Sequence, residues 1–384
     1  MNGRAVYFDQ AATSYPKPPA VIQAVNQALI QFGGNPGHGG HRMAMRAAQQ
    51  VFRTREEAAR FFGAEPENVV FTASCTHALN MALKGIMEVR GGHLLASMYD
   101  HNASLRPTAA LALKGVCSVG FFPVYEGEPQ RTLAAFREML RPDTRCVVCT
   151  HASNVTGAVL PIREIYEICK RAGIVFILDA AQTAGVLPVT LKDADIICTA
   201  GHKSLLGIQG SGMMILRPGL KLSTLMEGGT GIRSLERDMP EDSPERFEAG
   251  TLGLPGIMPL GAGIREVSRM GLQRIYTGEM TMASRFYRGL QHIPGVRIVN
   301  RGFKMGEYVP VVSFCIGEKD SGIVSEQLSA WGYMLRGGYH CAGMIHDLLG
   351  TRSTGTVRFS CGRGATPEQV DGLLKVVKKI AADG

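Results

Sequence analysis

The sequence has little that would suit a membrane or secreted protein. Its longest uncharged apolar runs, such as the one at 173–178, are far shorter than the ~20 residues of a membrane-spanning helix. The N-terminus, MNGRAVYFDQ, lacks the apolar stretch of a signal peptide. We therefore expect a cytoplasmic protein without a membrane-spanning segment.

Features of nucleic-acid-binding proteins are also scarce. The formal charge is +8, but the basic residues are scattered along the chain, which has one tryptophan. A nucleic-acid-binding surface usually gathers basic residues on one face or one stretch. We expect no nucleic-acid partner, and either a basic surface or a site for an anionic cofactor accounts for the charge.

The cysteine and histidine patterns of metal sites are incomplete. The nine cysteines include one CxxC pair, Cys146 and Cys149, in a predicted strand. Residues three apart on a strand point to opposite faces, so these two would not share a metal. His38 and His41 in GHGGH form another candidate pair, without an evident third ligand. We expect no metal, and free rather than disulfide-bonded thiols.

Strands and helices alternate through the first 220 residues and predict an α/β fold. The predicted strands are short and continuously apolar, which is typical of a mostly parallel sheet with helices on both faces. They lie at 68–73, 93–97, 117–124, 145–150, 174–178, 195–200 and 212–216, with helices at 75–87, 103–114 and 160–173.

The last third of the chain predicts a smaller α+β domain. Its helices are expected near 255–270, 273–291 and 320–331, and a capping box at Thr366–Gln369 opens a final helix. We expect a large domain over 17–265 and a small domain over 1–16 and 266–384.

Two predicted neighbouring strands lead into side chains of opposite charge. One ends at Asp179, with Gln182 three residues later, and the next ends shortly before Lys203. Ligands of such sheets bind beyond the carboxyl ends of the strands. Pyridoxal phosphate needs a lysine for a Schiff base and an anion beside its pyridinium nitrogen, so this pair suits it. A structural ion pair between Asp179 and Lys203 is the alternative.

Motifs along nearly the whole chain resemble those of one family. They are VYFDQAAT, GNPGHGGHRMA, FTASCTHALN, YDHNASLRP, HASNVTGAVLP, LDAAQ followed by GHK, FEAGT and RGGYHCA. In this order they resemble the cysteine desulfurases, in the class V aminotransferase group of fold-type I pyridoxal-phosphate enzymes. The chain is similar to the branch that includes the SufS-type desulfurases and selenocysteine lyases. The resemblance implies a fold-type I architecture and pyridoxal 5'-phosphate as the cofactor.

The resemblance implies roles around the cofactor ring. Lys203 would form the Schiff base and move a proton at the substrate Cα. Asp179 would pair with the pyridine nitrogen, and Gln182 with the ring hydroxyl. His101 would stack on the ring and could handle a substrate proton, because histidine titrates near neutrality. A structural histidine is the alternative for His101.

The resemblance also implies how the phosphate is held. Thr76, at the start of a predicted helix, and His202 would contact it. Thr251 would reach the phosphate of the other subunit, which implies a homodimer. The chain departs from the family pattern at Cys75 and His77, and at Ala200, where many relatives have a phosphate-binding serine. Thr199 is a candidate replacement for that serine.

Three further residues are candidates for binding the substrate. Arg358 matches the arginine that binds the substrate carboxylate, for which a guanidinium fork is well suited. Asn154 would assist it and lie against the ring, and Arg336 is a further substrate-binding candidate. A strand residue without a special task is the alternative for Arg358.

Cys341 differs from the other cysteines, most of which lie in apolar runs where a small core residue is expected. Glycines at 337, 338 and 343 are expected to leave its backbone mobile. Arg336 and His340 are expected to add positive or polarisable character, which favours the reactive thiolate. The motif resembles the segment that carries the sulfur-accepting cysteine, and an exposed cysteine without a role is the alternative.

The resemblance therefore implies an enzyme that converts L-cysteine to L-alanine. The sulfur would stay on Cys341 as a persulfide and then pass to a sulfur-acceptor protein. A selenocysteine lyase, or a related transaminase or epimerase in which Cys341 is incidental, are the alternatives. A non-catalytic sulfur-binding protein is another, against which Lys203 and Asp179 argue.

Overall fold

The computed structural model describes residues 5–37 and 39–383. Its strands are β1 (Val6–Tyr7), β2 (Val69–Thr72), β3 (His93–Ser97), β4 (Ser118–Phe122), β5 (Thr144–Thr150), β6 (Val175–Asp179), β7 (Ile196–Ala200), β8 (Gly212–Leu216), β9 (Val296–Ile298), β10 (Val311–Ile316), β11 (Tyr333–Met334), β12 (Arg336–Gly338) and β13 (Thr356–Ser360). Its helices are α1 (Pro19–Ile30), α2 (Arg42–Phe62), α3 (Cys75–Arg90), α4 (Asn102–Leu113), α5 (Pro129–Met139), α6 (Ile162–Arg171), α7 (Leu254–Met270), α8 (Leu272–Leu290), α9 (Ser321–Ala330), α10 (Gly343–Leu349) and α11 (Pro367–Ala382).

A seven-stranded sheet forms the centre of the molecule, in the order β2-β8-β7-β6-β5-β3-β4. The pairs β3–β4, β3–β5, β5–β6 and β6–β7 are parallel, whereas β8 is antiparallel to both of its neighbours. The predicted mostly parallel α/β fold is confirmed. The parallel strands end at one edge, where the polar segments that follow them meet.

The two faces of this sheet are buried in different clusters of side chains. Cys149 and Phe176 belong to one apolar cluster, whereas Cys146 and Val175 belong to the other. The period of two along β5 and β6 separates them. The CxxC pair is therefore divided between the two faces, as its spacing predicts.

A buried ion pair fastens α2 to the edge strand β2. Arg55 donates to both carboxylate oxygens of Glu248, at 2.8 and 2.7 Å, and the two side chains are 7% and 5% exposed. Arg55 also donates to the carbonyl of Val69, and the backbone N–H of Phe71 donates to Glu248 at 2.6 Å. Because all partners are buried, each group depends on the others for its hydrogen bonds.

The C-terminal third forms a second, four-stranded antiparallel sheet, in the order β12-β13-β10-β9. The chain start joins this part: β1 pairs with β11, and Asp9 forms a bridge with Ser360. A separate apolar cluster contains Phe8 together with side chains of α8, β10, β13 and α11. The two-domain division stays a prediction, and its boundary near 265 would fall inside α7.

Helix ends follow the local sequence with small differences from the prediction. The capping box at Thr366 and Gln369 forms as expected at the start of α11. The helix predicted over 160–173 begins at Ile162, because Pro161 has a ψ of 63°, which is not helical, and occupies the cap position.

Among the described residues, no helix is long and apolar enough to cross a membrane. In the same residues, no group of three or more His, Cys, Asp and Glu side chains could hold a metal ion. His38 of the candidate histidine pair lies outside the described residues, and His41 caps the start of α2.

Candidate active site

A cavity of about 210 Å³ opens at the carboxyl-end edge of the large sheet. The segments that follow β2, β3, β5, β6 and β7 contribute to its wall. All predicted site residues except Thr251 and Cys341 line it: Thr76, His101, Asn154, Asp179, Gln182, His202, Lys203, Arg336 and Arg358. The sheet topology therefore brings together residues that are up to 282 positions apart, since 358 minus 76 is 282.

Asp179 is the last residue of β6, and its buried carboxylate is held from two sides. Its Oδ1 accepts hydrogen bonds from the backbone N–H of Ala181 at 2.9 Å and from the Cys75 thiol at 3.4 Å. Burial, together with the charge of Asp179, raises the pKa of Cys75 well above its ordinary value. Cys75 therefore stays a thiol and donates, and Oδ2 is left for a cationic ring N–H.

Lys203 follows β7 and shares the cavity with Asp179. Burial lowers the pKa of its amine, and the charge of Asp179 opposes this shift. The two described side chains form no ion pair within 4.0 Å, so the geometry gives no support to the alternative of a structural pair. A lysine whose pKa is lowered by burial carries more of the free amine, which is the nucleophilic form.

Gln182 lies between the cavity and the N-terminal segment. Its Nε2 donates to the carbonyl of Ala11 at 3.1 Å, and both residues line the cavity. The contact fixes the side-chain amide at the wall, with its oxygen still able to accept.

His101 caps the start of α4. Its Nδ1 accepts from the backbone N–H of Ala103 at 3.0 Å, so the neutral ring carries its proton on Nε2. Burial lowers its pKa to about 4, and the charge of Asp179 only partly opposes this. His101 is therefore an uncharged N–H donor near neutral pH rather than an imidazolium.

The cavity has one end suited to an anion. Ser74 caps α3, and Ser74, Cys75 and Thr76 line the cavity at the helix start, where backbone N–H groups lack helical partners. The ring of His202 is close by, and its buried Nδ1 has no hydrogen-bond partner among the described residues. Burial lowers the pKa of His202 to about 4, so the ring is neutral and can donate one hydrogen bond.

Neither Ala200 nor Thr199 supplies a hydrogen bond at the anion-binding end of the cavity. Ala200 lines the cavity, but its methyl group supplies no hydrogen bond. Thr199 is fully buried in β7 and does not line the cavity, so it does not replace the serine of the family pattern.

Arg358 is buried in β13 beside the cavity, 1% exposed. Its Nη2 pairs with Asp9 at 2.8 Å and its Nη1 donates to the carbonyl of Asn154 at 3.0 Å. Its Nε is buried without a partner in the described part of the chain. These contacts rule out a surface position and leave donor capacity for a bound carboxylate.

Cys341 is exposed, whereas the other eight cysteines are buried. It lies in a groove that adjoins the cavity and shares Thr76, His101 and Ala103 with it. Its thiol sulfur is 3.9 Å from Nη2 of Arg336, and its carbonyl accepts from the N–H of Asn102 at 2.7 Å. The cationic neighbour and the accessibility are those of a reactive rather than a structural thiol.

The loop around Cys341 is more constrained than its glycines suggest. His340 and Cys341 have φ of 49° and 56°, in the left-handed region that residues other than glycine rarely adopt. Asn154 holds this turn by donating to the His340 carbonyl at 2.6 Å. Gly337 serves close packing, because a Cβ there would lie 2.2 Å from the Ser321 carbonyl oxygen.

His340 does not add positive charge beside Cys341. It is buried, and its Nε2 is 3.0 Å from both the carbonyl and the hydroxyl of Thr356. Burial, with the charges of Arg358 and Arg336, lowers its pKa well below the ordinary value. Of the expected positive or polarisable character, the positive charge is therefore absent at His340, and Arg336 is the cation in contact with the thiol.

Thr251 lies outside the cavity of its own chain. It is exposed, in a separate groove with Ala73 and His77, and its hydroxyl is 3.4 Å from Nδ2 of Asn35. Its role toward a second subunit stays a prediction.

Sequence reasoning gave no role to Asp9 or Cys75 at the site. Asp9 orients Arg358 and Cys75 orients Asp179, each across a long stretch of sequence. Asp9 belongs to the VYFDQAAT motif, which could have indicated a role at the site. Nothing near Cys75 in the sequence indicates that it contacts Asp179.

Comparison with known proteins gives a consistent result. Residues 6–373 match the family model of the class-V aminotransferases. A probable cysteine desulfurase of Methanothermobacter thermautotrophicus is 31% identical, covering 99% of this chain and 95% of the relative. The cysteine desulfurase IscS of an Anaeromyxobacter species is 30% identical, covering 98% and 92%.

Solved structures with the same fold carry similar names. The apo cysteine desulfurase of Thermococcus onnurineus superposes with a TM-score of 0.90 at 29% identity, covering 99% of this chain and 95% of that one. The cysteine desulfurase CsdA of Escherichia coli, with an S-sulfonic acid, gives 0.88 at 25% identity over 99% and 95%.

Proposed function

Because the chain belongs to the class-V aminotransferase family, we propose that it is a pyridoxal-phosphate-dependent cysteine desulfurase. Similar relatives and structural neighbours are named cysteine desulfurases, and the similarity covers nearly their full lengths. The observation that carries the proposal is the placement of two nucleophiles, Lys203 in the cavity and Cys341 in the adjoining groove. A site with both suits an enzyme that binds an amino acid and takes its sulfur.

The residues of the cavity fit pyridoxal phosphate. The free Oδ2 of Asp179 suits a pyridinium N–H, and the start of α3 with the unpartnered His202 Nδ1 suits a phosphate. Lys203 is the amine to which the cofactor would attach, and Gln182 would face its hydroxyl. When bound, the cofactor would supply an electron-accepting ring for carbanion chemistry at Cα.

Residues of the chain bind the substrate and transfer its protons. Arg358 binds the substrate carboxylate through the donors that Asp9 and Asn154 leave free. Lys203, with its lowered pKa, takes and returns the Cα proton. His101, neutral and protonated on Nε2, donates to a substrate atom beside the ring.

Cys341 accepts the sulfur. Its thiolate attacks the substrate sulfur, a new S–S bond forms and the C–S bond breaks. The electron pair of that bond stays on the substrate carbon, which takes up a proton and becomes the methyl group of alanine. Arg336 places its positive charge beside the attacking sulfur, 3.9 Å away.

The experiment compares wild type with Cys341→Ala and Lys203→Ala, each supplied with L-cysteine. Alanine is quantified, together with sulfide released by a reductant. We expect wild type to form both products, and Cys341→Ala to lose most of the cysteine reaction while still binding the cofactor. Lys203→Ala should lose all turnover. A wild type that forms no alanine from cysteine would refute the desulfurase.

Selenocysteine lyase activity is the second candidate, because the SufS-type branch that the chain resembles includes such lyases. The exposed position of Cys341 in a separate groove would allow selenium to leave without it. Cys341→Ala that keeps full activity on selenocysteine but not on cysteine would show this second activity.

We further propose a homodimer and a sulfur-acceptor protein as partners. Thr251, exposed and outside the cavity of its own chain, would complete the phosphate site of a second copy. Thr251→Ala should then weaken cofactor binding only in the dimer. The test is a cofactor titration at protein concentrations above and below the dissociation constant of the dimer.

A further inference from the structure

The groove that holds Cys341 lies between α3 and α4. Thr76, Asn80 and Lys84 follow each other at intervals of four along α3, and Ala103, Arg106, Pro107 and Ala110 form the facing stripe of α4. Both helices begin at the carboxyl-end edge of the sheet, so Cys341 and His101 lie at the inner end of the groove. Its volume is about 350 Å³.

The dimensions of the groove suit a short extended peptide. The eight helical steps from Thr76 to Lys84 span about 12 Å at the helical rise of 1.5 Å per residue. An extended chain covers that distance with about four residues at 3.3 Å each. The small side chains of Ala103 and Ala110 leave room for such a backbone.

Pro107 interrupts the backbone hydrogen bonding of α4 beside the groove. It lies inside α4 and has no N–H, so the helical hydrogen bond that the Ala103 carbonyl would accept is missing. Both residues line the groove.

The groove carries charge of one sign. Lys84 is half-buried and Arg106 is exposed, and no acidic side chain is among its described lining residues. The open end away from Cys341 therefore attracts negatively charged groups.

We propose that this groove binds an extended, acidic, cysteine-bearing segment of the sulfur-acceptor protein. The proposal rests on the cysteine desulfurase function proposed above. The acceptor thiolate lies at the inner end and attacks the terminal sulfur of the Cys341 persulfide. A new S–S bond forms on the acceptor, the old one breaks, and Cys341 leaves as a thiolate that Arg336 stabilises. No external oxidant or reductant is needed, because the sulfane sulfur is transferred.

The probes are three synthetic peptides in which two glycines separate a cysteine from a pair of identical residues. The pair is Glu-Glu, Gln-Gln or Lys-Lys. The dimeric holoenzyme is first loaded with one equivalent of L-cysteine, and persulfide on Cys341 is verified by mass spectrometry. Transfer of one sulfur atom to each peptide is then followed over time.

We expect the Glu-Glu peptide to be about tenfold faster than the Gln-Gln peptide at low salt, from two partly exposed ion pairs. The Lys-Lys peptide should be slowest, and the preference should fade in high salt. The double variant Lys84→Glu with Arg106→Glu should reverse the order of the three peptides. Arg274→Glu, an exposed residue of α8 remote from the groove, is the matched control and should keep the wild-type order.

The outcomes separate this proposal from the one on which it rests. A wild type that forms no persulfide refutes the proposed function, and the groove's role with it. A loaded enzyme that transfers equally to all three peptides, or a double variant that behaves like Arg274→Glu, refutes the groove alone. Loss of the dimer in the double variant, measured by light scattering, would show that a second copy covers the groove and would also overturn the proposal.

Discussion

Replacement of Arg358 by lysine tests how the substrate carboxylate is bound. Arg358 is buried, with one donor on Asp9, one on the Asn154 carbonyl and an unpartnered Nε. Lysine keeps the charge but loses the planar fork. The loss of one hydrogen bond to a charged group costs about 1.5–3 kcal/mol, which corresponds to a factor of roughly 10–150. Because the carboxylate is held before and during the reaction, we expect KM to rise by that factor, with a smaller change in kcat.

The assay is the initial rate of alanine formation over a range of L-cysteine concentrations. Bound cofactor, measured by absorbance, and circular dichroism check that the variant is folded. Arg336→Lys is the matched control, since Arg336 also lines the cavity but contacts the Cys341 thiol. An unchanged KM in Arg358→Lys, or a larger KM effect in Arg336→Lys, would refute the assignment of the carboxylate site to Arg358.

Three further changes test other contacts. Glu248→Gln should lower the free energy of unfolding by about 3–5 kcal/mol in urea, because Arg55 is left buried without its ion pair; Asp371→Asn, in an exposed pair, should cost far less. The pKa of buried His151 is lowered from 6.5 to about 4, so the unfolded chain binds its proton first as the pH falls. Between pH 7 and pH 4 the free energy of unfolding should therefore fall by about 3 kcal/mol more in wild type than in His151→Gln. Equal decreases would show that burial does not lower the pKa of His151. Cys75→Ala removes the thiol donor to Asp179, so it should weaken cofactor binding by about fivefold and shift the pH titration of the cofactor absorbance. Cys75→Ser should restore both properties. An unaffected Cys75→Ala would show that the thiol has no such role.

The parallel sheet and its functional edge could be predicted because both depend on local patterns. Continuous apolar runs define β5, β6 and β7, and a parallel arrangement places the residues after them at one edge. Asp179 and Lys203 therefore fall in the same cavity, as expected. Cys146 and Cys149 separate to opposite faces for the equally local reason of strand periodicity.

The remaining features depend on contacts between distant residues or on backbone geometry. Helices α1, α2, α5 and α10 have no counterpart among the sequence predictions. The pairing of Asp9 with Arg358 joins residues 349 apart. The glycines near Cys341 suggest mobility, whereas Gly337 is required by packing against Ser321 and the strained residues are His340 and Cys341 themselves.

The left-handed backbone at Cys341 makes this position a compromise between folding and chemistry. Glycine, or asparagine to a lesser degree, adopts that conformation with less strain, whereas cysteine costs on the order of 1 kcal/mol there. Selection for stability alone would therefore remove the thiol from this turn. Directed evolution for heat resistance would be expected to reach Cys341 early, and a thermostabilised enzyme obtained without an activity screen would be one that had lost the thiol we propose as its sulfur carrier.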